Sequence, residues 1–485
     1  MSQTERRPAS TSLFRLKPIN TAVEETGLKR VLGAGNLVAL GVGAIIGAGL
    51  FSLTGIAASE NAGPAVVLSY LIAAVACGFA GLCYSELASM IPAAGSAYSF
   101  AYVSLGEFVA WIIGWDLVLE YAVGAATVSV SWSRYVVSLL ADWGVALPER
   151  LTASPFETVR LASGAEAAGI ANLPAVFAIV AITMLLIRGV SDSAKVNAVI
   201  VAIKLTVIAA VIGFGLPYVH TTNYHPFIPP NDGTFGHFGF SGVMRAAGTI
   251  FFAYIGFDAV STTAQEARNP ARDMPIGIIG SLLVCVTVYM AFSLVLTGMV
   301  NYHDMLGDAA PVATAIDHTP FGWLKTAVKL GIICGFTSVM LVLLLGQSRV
   351  FYAMASDGLL PSFFARTHAR FRTPWLSNLF FMIVTGVLAA FLPISELGHM
   401  TSIGTLLAFT IVCIGVLVLR RTQPHRERRF RIPGGATVPL LGVLSCLTVM
   451  ASLDSLTWVR LVVWLLIGFA IYFGYSRSRS VLAPR

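Results

Sequence analysis

Twelve stretches of predominantly apolar residues, each near the length a bilayer demands, leave this chain one class of fold. A helix needs about 17 to 25 apolar residues to cross the hydrocarbon core. Such runs lie near 36–57, 64–88, 106–140, 172–188, 194–217, 241–264, 276–300, 325–352, 375–392, 397–419, 438–454 and 458–475. In lipid the backbone polar groups have to be satisfied within the segment, so spans of this length are helices. Of 485 residues, 56% are hydrophobic and 11% are charged, against the charged quarter usual in a soluble domain. The expectation is an all-α integral membrane protein with twelve transmembrane helices, the third and eighth long enough to tilt or extend into water.

Basic residues orient the set, because Lys and Arg near span ends favour the cytoplasmic side. Arg6, Arg7, Arg15, Lys17, Lys29 and Arg30 precede span one, and Arg420, Arg421, Arg426, Arg428, Arg429 and Arg431 follow span ten. Arg268 and Arg272 after span six, and Arg366, Arg370 and Arg372 after span eight, fall on the same side, while segments 218–240 and 301–323 hold no Lys or Arg. Both termini are therefore expected in the cytoplasm of a multi-pass protein of the inner (plasma) membrane. The formal charge of +7 reports topology and contact with anionic headgroups of the bilayer, and calls for no nucleic-acid partner. Residues 1–20, rich in Ser, Thr, Arg and Pro, read as disordered. No cleavage pattern follows a short apolar segment, so span one reads as an uncleaved anchor.

Two of the spans carry a weak point. Gly41, Gly43, Gly47 and Gly49 fall within nine residues of span one, where each glycine costs a helix about 1 kcal/mol relative to alanine. Span six has a comparable point at Ala253-Tyr-Ile-Gly256-Phe-Asp258. Interrupted helices in corresponding places mark an inverted-repeat transporter, and each opens a unit of five helices. The chain thus divides into a segment 1–32, a first repeat 33–217, a second repeat 241–419, a basic loop 420–437, an added helix pair 438–475 and a tail 476–485. In a broken helix the second half begins with unpaired N–H groups that suit a carboxylate, here near Gly47, Ala48 and Gly49. The first half ends with unpaired C=O groups that suit an ammonium, here near Ala44 and Ile45. Such a clamp binds the part common to all free amino acids. The competing reading of the glycines is close helix packing.

Lys204 lies about 10 residues from either end of span five, roughly 15 Å from each surface, too deep to snorkel. An ammonium there costs about 2.5 to 3.5 kcal/mol, which points to a lysine that binds and releases a proton, with a static cation on carbonyls as the alternative. Asp258 lies in the span-six break, and Asp116 and Glu120 share one helical face of span three. For these the alternative is hydrogen-bonded bracing of the bundle. Phe252 heads an aromatic cluster at the second break as a candidate lid. Arg134, Arg188 and Arg245 lie near span ends as snorkelling anchors. All six cysteines fall in apolar spans, and the eight histidines are scattered without ligand spacing, so neither a metal, a cofactor nor an enzyme is expected.

The order and spacing of Leu37-Val-Ala-Leu-Gly-Val-Gly-Ala-Ile-Ile-Gly-Ala-Gly-Leu-Phe51, Tyr84-Ser-Glu86 to Pro92 with Gly95 and Tyr98, Phe251 to Asp258, Glu266 to Gly277, and Gly346-Gln-Ser-Arg349 leading to Pro361 resemble the amino acid-polyamine-organocation superfamily. Within it the chain is similar to bacterial relatives of the cationic amino acid transporter family, from Leu28 to the end of span twelve. The resemblance implies a five-plus-five inverted repeat and alternating-access import of amino acids. By position, Ala48 and Gly49 would bind the substrate carboxylate, and the carbonyls of Ile45, Phe252 and Ile255 its amino group, with Gly47 and Ala253 in the same breaks. Lys204 would match the lysine that replaces a bound sodium ion in proton-coupled members, with Thr337 and Ser338 as neighbours. The chain departs in having Ala48 where many relatives carry Thr or Ser, and Arg134 where a small residue is expected. The expected activity is proton-coupled symport of neutral amino acids, on an apolar subsite of Ile45, Ile255 and Phe336. Asp258 and Glu120 leave room for cationic ones. A proton-independent exchanger and an amino acid sensor are the alternatives.

Overall fold

The computed structural model describes residues 13–18, 32–91, 96–161, 163–189, 194–261, 263–264, 266–308 and 310–483. Arg6, Arg7, Leu28, Lys29, Arg30, Pro92, Gly95 and most of the 1–32 segment lie outside the described residues. The principal helices are α1 (Ala34–Ile45), α2 (Val66–Met90), α3 (Glu107–Asp142), α4 (Leu173–Arg188), α5 (Ala194–Gly215), α6 (Gly239–Ile250), α7 (Pro270–Met299), α8 (Gly322–Ser356), α9 (Trp375–Phe391), α10 (Ile394–Thr422), α11 (Thr437–Ser452) and α12 (Ser455–Ile471). Seven of them (α2, α3, α5, α7, α8, α10 and α12, the last continuing to Arg479) are long and apolar enough to cross a membrane, and α1, α4, α9 and α11 are shorter apolar helices. At 1.5 Å per residue α3 and α8 reach roughly 50 Å, beyond the hydrocarbon core alone.

Two groups of helices pack side by side. In the first, α7 lies against both α1 and α2, and α6 against α2; in the second, α3 and α4 pack with α8 and α9. The α5 helix touches α1 and α8, so it stands between the groups, and α10 contacts members of both. Small residues permit the closest crossings: a Cβ on Gly41 would lie 2.5 Å from Ser281 Oγ of α7. Five cysteines are buried, and Cys334 is exposed.

An antiparallel two-stranded hairpin, Thr158–Arg160 with Glu166–Ala168, departs from the all-α expectation. Its turn contains Gly164 at φ +82°, a conformation glycine adopts without the Cβ penalty. At the other end, Glu86 of α2 is almost wholly buried. It accepts hydrogen bonds from Arg420 Nε (3.0 Å), Arg420 Nη2 and the Ile432 amide (3.0 Å), with Arg428 Nε at 3.4 Å. This cluster ties α2 to α10 and to the basic segment that follows it.

Candidate functional site

The first break begins where α1 stops at Ile45. Ile46 is extended (φ −71°, ψ 109°), Gly47 follows at φ −162°, ψ −141°, and a new helical turn starts at Ala48 and runs to Phe51. The second break follows α6: a tight turn over Phe251–Tyr254, Ile255 extended at φ −63°, ψ 138°, Gly256 at φ +115°, and a helix again from Phe257 to Ser261. Only glycine takes that φ without strain. The two breaks lie against each other, since a Cβ on Gly256 would sit 2.9 Å from the Ala44 carbonyl and one on Gly49 would sit 2.2 Å from Ala253 Cα. Close packing therefore accounts for Gly41 and Gly49, whereas a Cβ on Gly47 would meet only Val339, at 3.2 Å.

Breaking a helix frees backbone groups that a buried site has to satisfy. The Lys204 ammonium, 1% exposed, donates to Gly43 O at 2.5 Å and Ile46 O at 2.9 Å. The Tyr289 hydroxyl lies 3.0 Å from Ile45 O and 2.9 Å from Ala253 O, so one phenol bridges the two breaks. Tyr70 donates to Gly49 O at 3.0 Å and contacts Thr54 Oγ1 at 2.6 Å, and Tyr135 donates to Phe51 O at 2.7 Å. The N–H groups of Ala48 and Gly49, in the first turn of the new helix, have no preceding intrahelical carbonyl. The arrangement thus has open donors at one end and carbonyls at the other. Ile45 O is already shared with Tyr289.

Lys204 leans its stem on α8, where a Cβ on Gly335 would lie 3.2 Å from its Cε. Its hydrogen bonds go to span one and not to the two hydroxyls expected beside it. Thr337 Oγ1 donates to Ile333 O at 2.8 Å and accepts from Trp132 Nε1 at 3.2 Å, and Ser338 Oγ donates to Gly335 O at 2.9 Å. Back-bonding of this kind is the ordinary fate of Ser and Thr inside helices. Among the described residues no Asp or Glu forms an ion pair with Lys204.

Asp258 accepts from the Tyr121 hydroxyl at 2.6 Å, and Glu120 lies beside it in a wide turn of α3, Leu119–Val123. Asp116, one turn earlier, faces α10, where a Cβ on Gly404 would be 3.2 Å from its Oδ1. All three are fully buried. Phe252 is 5% exposed, and its ring reaches α3 at Gly124; Ile45, Ile255 and Phe336 are buried as well. Phe336 packs edge-on against Phe51 and Tyr135, with centroids 6.0 and 5.6 Å away. Of the presumed anchors, Arg245 Nε donates to Ser452 O at 2.5 Å, Arg188 is exposed at the end of α4, and Arg134 forms an ion pair with Glu157.

Sequence reasoning passed over the tyrosines and a second buried lysine. Lys329 of α8 is 1% exposed and binds Asp142 and Ser138 O at the end of α3. Buried tyrosines need a partner for their hydroxyl, and a broken helix supplies carbonyls, so Tyr70, Tyr135 and Tyr289 could have been sought as break partners.

A family model described as amino acid permease matches residues 32–474. The chain belongs to the amino acid permease family. It is a multi-pass membrane transporter for amino acids, and not an enzyme. The permease is 43% identical to the "Branched-chain amino acid permease BcaP" of Bacillus subtilis (strain 168), over 97% of this chain and 99% of the relative. It is 42% identical, at the same coverage, to the "Methylthioribose transporter" of the same organism. It is 31% identical to the human "Cationic amino acid transporter 4", over 96% of this chain and 90% of that one.

Proposed function

We propose that this permease imports neutral amino acids, branched-chain ones foremost, by proton-coupled symport through alternating access. Lys204 is the proton-carrying group. The observation that carries the reading is the Lys204 ammonium donating to Gly43 O and Ile46 O at the carbonyl end of the first break. Charged, it stabilises the carbonyl end of the break. Neutral, it has at most two N–H donors and a weaker hold, so protonation is linked to the shape of span one. The amide groups of Gly47, Ala48 and Gly49 bind the substrate carboxylate, and the carbonyls of Ile45, Phe252 and Ile255 its ammonium, with Ala253 holding the second break against the first. Phe252 closes the site. Ile45, Ile255 and Phe336 supply the apolar subsite, in keeping with the similarity to a branched-chain permease. Asp258, which accepts from the Tyr121 hydroxyl, and the neighbouring Glu120 act as accessory residues.

The finer architecture belongs to the same proposal. Helices α1–α5 (33–217) and α6–α10 (241–419) form two inverted repeats, and α11–α12 (438–475) are an addition, making twelve spans with both termini in the cytoplasm. The side-by-side groups α1, α2, α6, α7 and α3, α4, α8, α9 each take equivalent helices from both repeats, which supports it. The nearly equal likeness to a methylthioribose transporter, 42% against 43%, motivates a second reading, in which the substrate lacks the amino and carboxylate groups. Purified permease in proteoliposomes tests both. With acid outside, labelled leucine accumulates above its equilibrium level, unlabelled valine and isoleucine compete, and methylthioribose does not. Leucine uptake indifferent to the pH gradient contradicts symport in favour of exchange, and competition by methylthioribose alone favours the second reading.

A further inference from the structure

The end of α10 and the loop that leads to α11 carry Arg420, Arg421, Arg426, Arg428, Arg429 and Arg431 against a single acidic residue, Glu427. Glu86 takes up Arg420 and Arg428. Arg429 meets Glu427 at 3.7 Å with both side chains exposed, and pairs of that kind hold each other weakly. Arg426 forms no ion pair among the described residues. Its Nη1 donates to the neutral Gln423 Oε1 at 3.2 Å, which leaves other N–H groups of the guanidinium open. Partial burial, and after it the charge of Arg428, hold the Arg426 pKa below its usual value. An anion at this place offsets both effects.

Arg426, Glu427 and Arg429 line a cavity of about 410 Å³ together with Ser89 and Met90 of α2 and Pro270 and Ala271 of α7. The volume is within the range of small-molecule sites. Two guanidinium groups against one exposed carboxylate leave the cavity net positive, and guanidinium forks match the oxygens of a phosphate. The wall at α7 adds a donor. Asn269 gives that helix no side-chain cap, and the Asp273 carboxylate turns back to the Asn269 amide at 3.0 Å. The Ala271 amide is therefore among the first-turn donors that a helix leaves without an intrahelical acceptor. Met90 and Pro270 make the rest of the wall apolar, which suits a phosphate carried on an ester better than a free, fully hydrated ion.

We propose that this cavity binds a phosphate group carried by an anionic lipid headgroup, with Arg426 and Arg429 as its ligands and the Ala271 amide as a further donor. On the proposed topology α2 ends and α7 begins at the cytoplasmic surface, where the headgroups are anionic. The bound headgroup joins the segment after α10 to the ends of two helices of the first group, beside the tie that Glu86 already makes. Positive charge orients a chain wherever it lies along a loop. This site needs Arg426 in particular.

The purified full chain in neutral detergent, titrated with short-chain phosphatidylglycerol, is expected to gain thermal stability as a saturable rise in apparent Tm. Arg426→Gln needs about ten-fold more lipid for half of that rise, the worth of one charge-assisted hydrogen bond. Arg421→Gln, exposed on the same segment and outside the cavity wall, responds as the wild type does. Short-chain phosphatidylcholine, whose headgroup has no net charge, gives a smaller rise. Equal responses of Arg426→Gln and the wild type, the same loss in Arg421→Gln, or an equal rise with phosphatidylcholine overturns the site. Inorganic phosphate that raises the Tm as much as phosphatidylglycerol does at equal concentration overturns the headgroup in favour of a free phosphate. Binding is read on the purified chain, so the outcome is independent of which amino acid the permease carries.

Discussion

Glycines 47 and 49 are two residues apart and do different work. A methyl on Gly49 would overlap the Ala253 backbone, at 2.2 Å from its Cα, and no rotamer change relieves a clash with main chain. Gly49→Ala is expected to cost about 3 kcal/mol, read as a large fall in the apparent Tm of purified protein. A methyl on Gly47 meets only a Val339 methyl at 3.2 Å, which can shift by a few tenths of an ångström. Gly47→Ala is expected to keep a near-native Tm but to bind leucine roughly ten-fold more weakly, as one backbone donor moves off the carboxylate. Equal Tm values for the two variants would refute the distinction. The sequence could not separate these roles, because a glycine that breaks a helix and a glycine that lets another backbone approach are the same letter.

At the scale of elements, the two breaks were legible and their support was not. Glycine density and the Ala253–Asp258 stretch marked where helices would stop, and the depth of Lys204 in its span marked a buried lysine, read as a proton carrier with a static cation on carbonyls as the alternative. The tyrosines that satisfy the rest were hidden, since aromatics occur throughout an apolar bundle and a helix apolar all round gives no periodicity to show which face looks inward. Arg134 looked like a span-end anchor because its partner, Glu157, comes from a hairpin that no apolar pattern announces. The Tyr289 hydroxyl bridges Ile45 O and Ala253 O. Tyr289→Phe should cost about 1 to 2 kcal/mol by leaving a buried carbonyl short of a donor, measurable as a lowered denaturation midpoint. An unchanged midpoint would mean that the bridge contributes nothing.

Across the whole molecule, one group of helices pivots against the other only if the ties between them can be made and broken. The Glu86 cluster joins α2 of the first group to α10 and its following basic segment. Removing one partner of a largely buried ion pair strands the others, and with Arg420 partly exposed the cost is discounted to about 2 kcal/mol. Glu86→Gln is therefore expected to lower the apparent Tm and to raise cysteine-reagent access at the end of the bundle beside that segment. A Tm equal to that of the wild type would show that the cluster is dispensable.

The proposed coupling of a proton on Lys204 to the movement of span one is tested most directly by comparing downhill with driven transport in one variant. Lys204→Ala in proteoliposomes is predicted to retain leucine counterflow, which needs only the breaks, and to lose accumulation driven by an imposed pH gradient. Undiminished, gradient-dependent accumulation by Lys204→Ala would contradict the account.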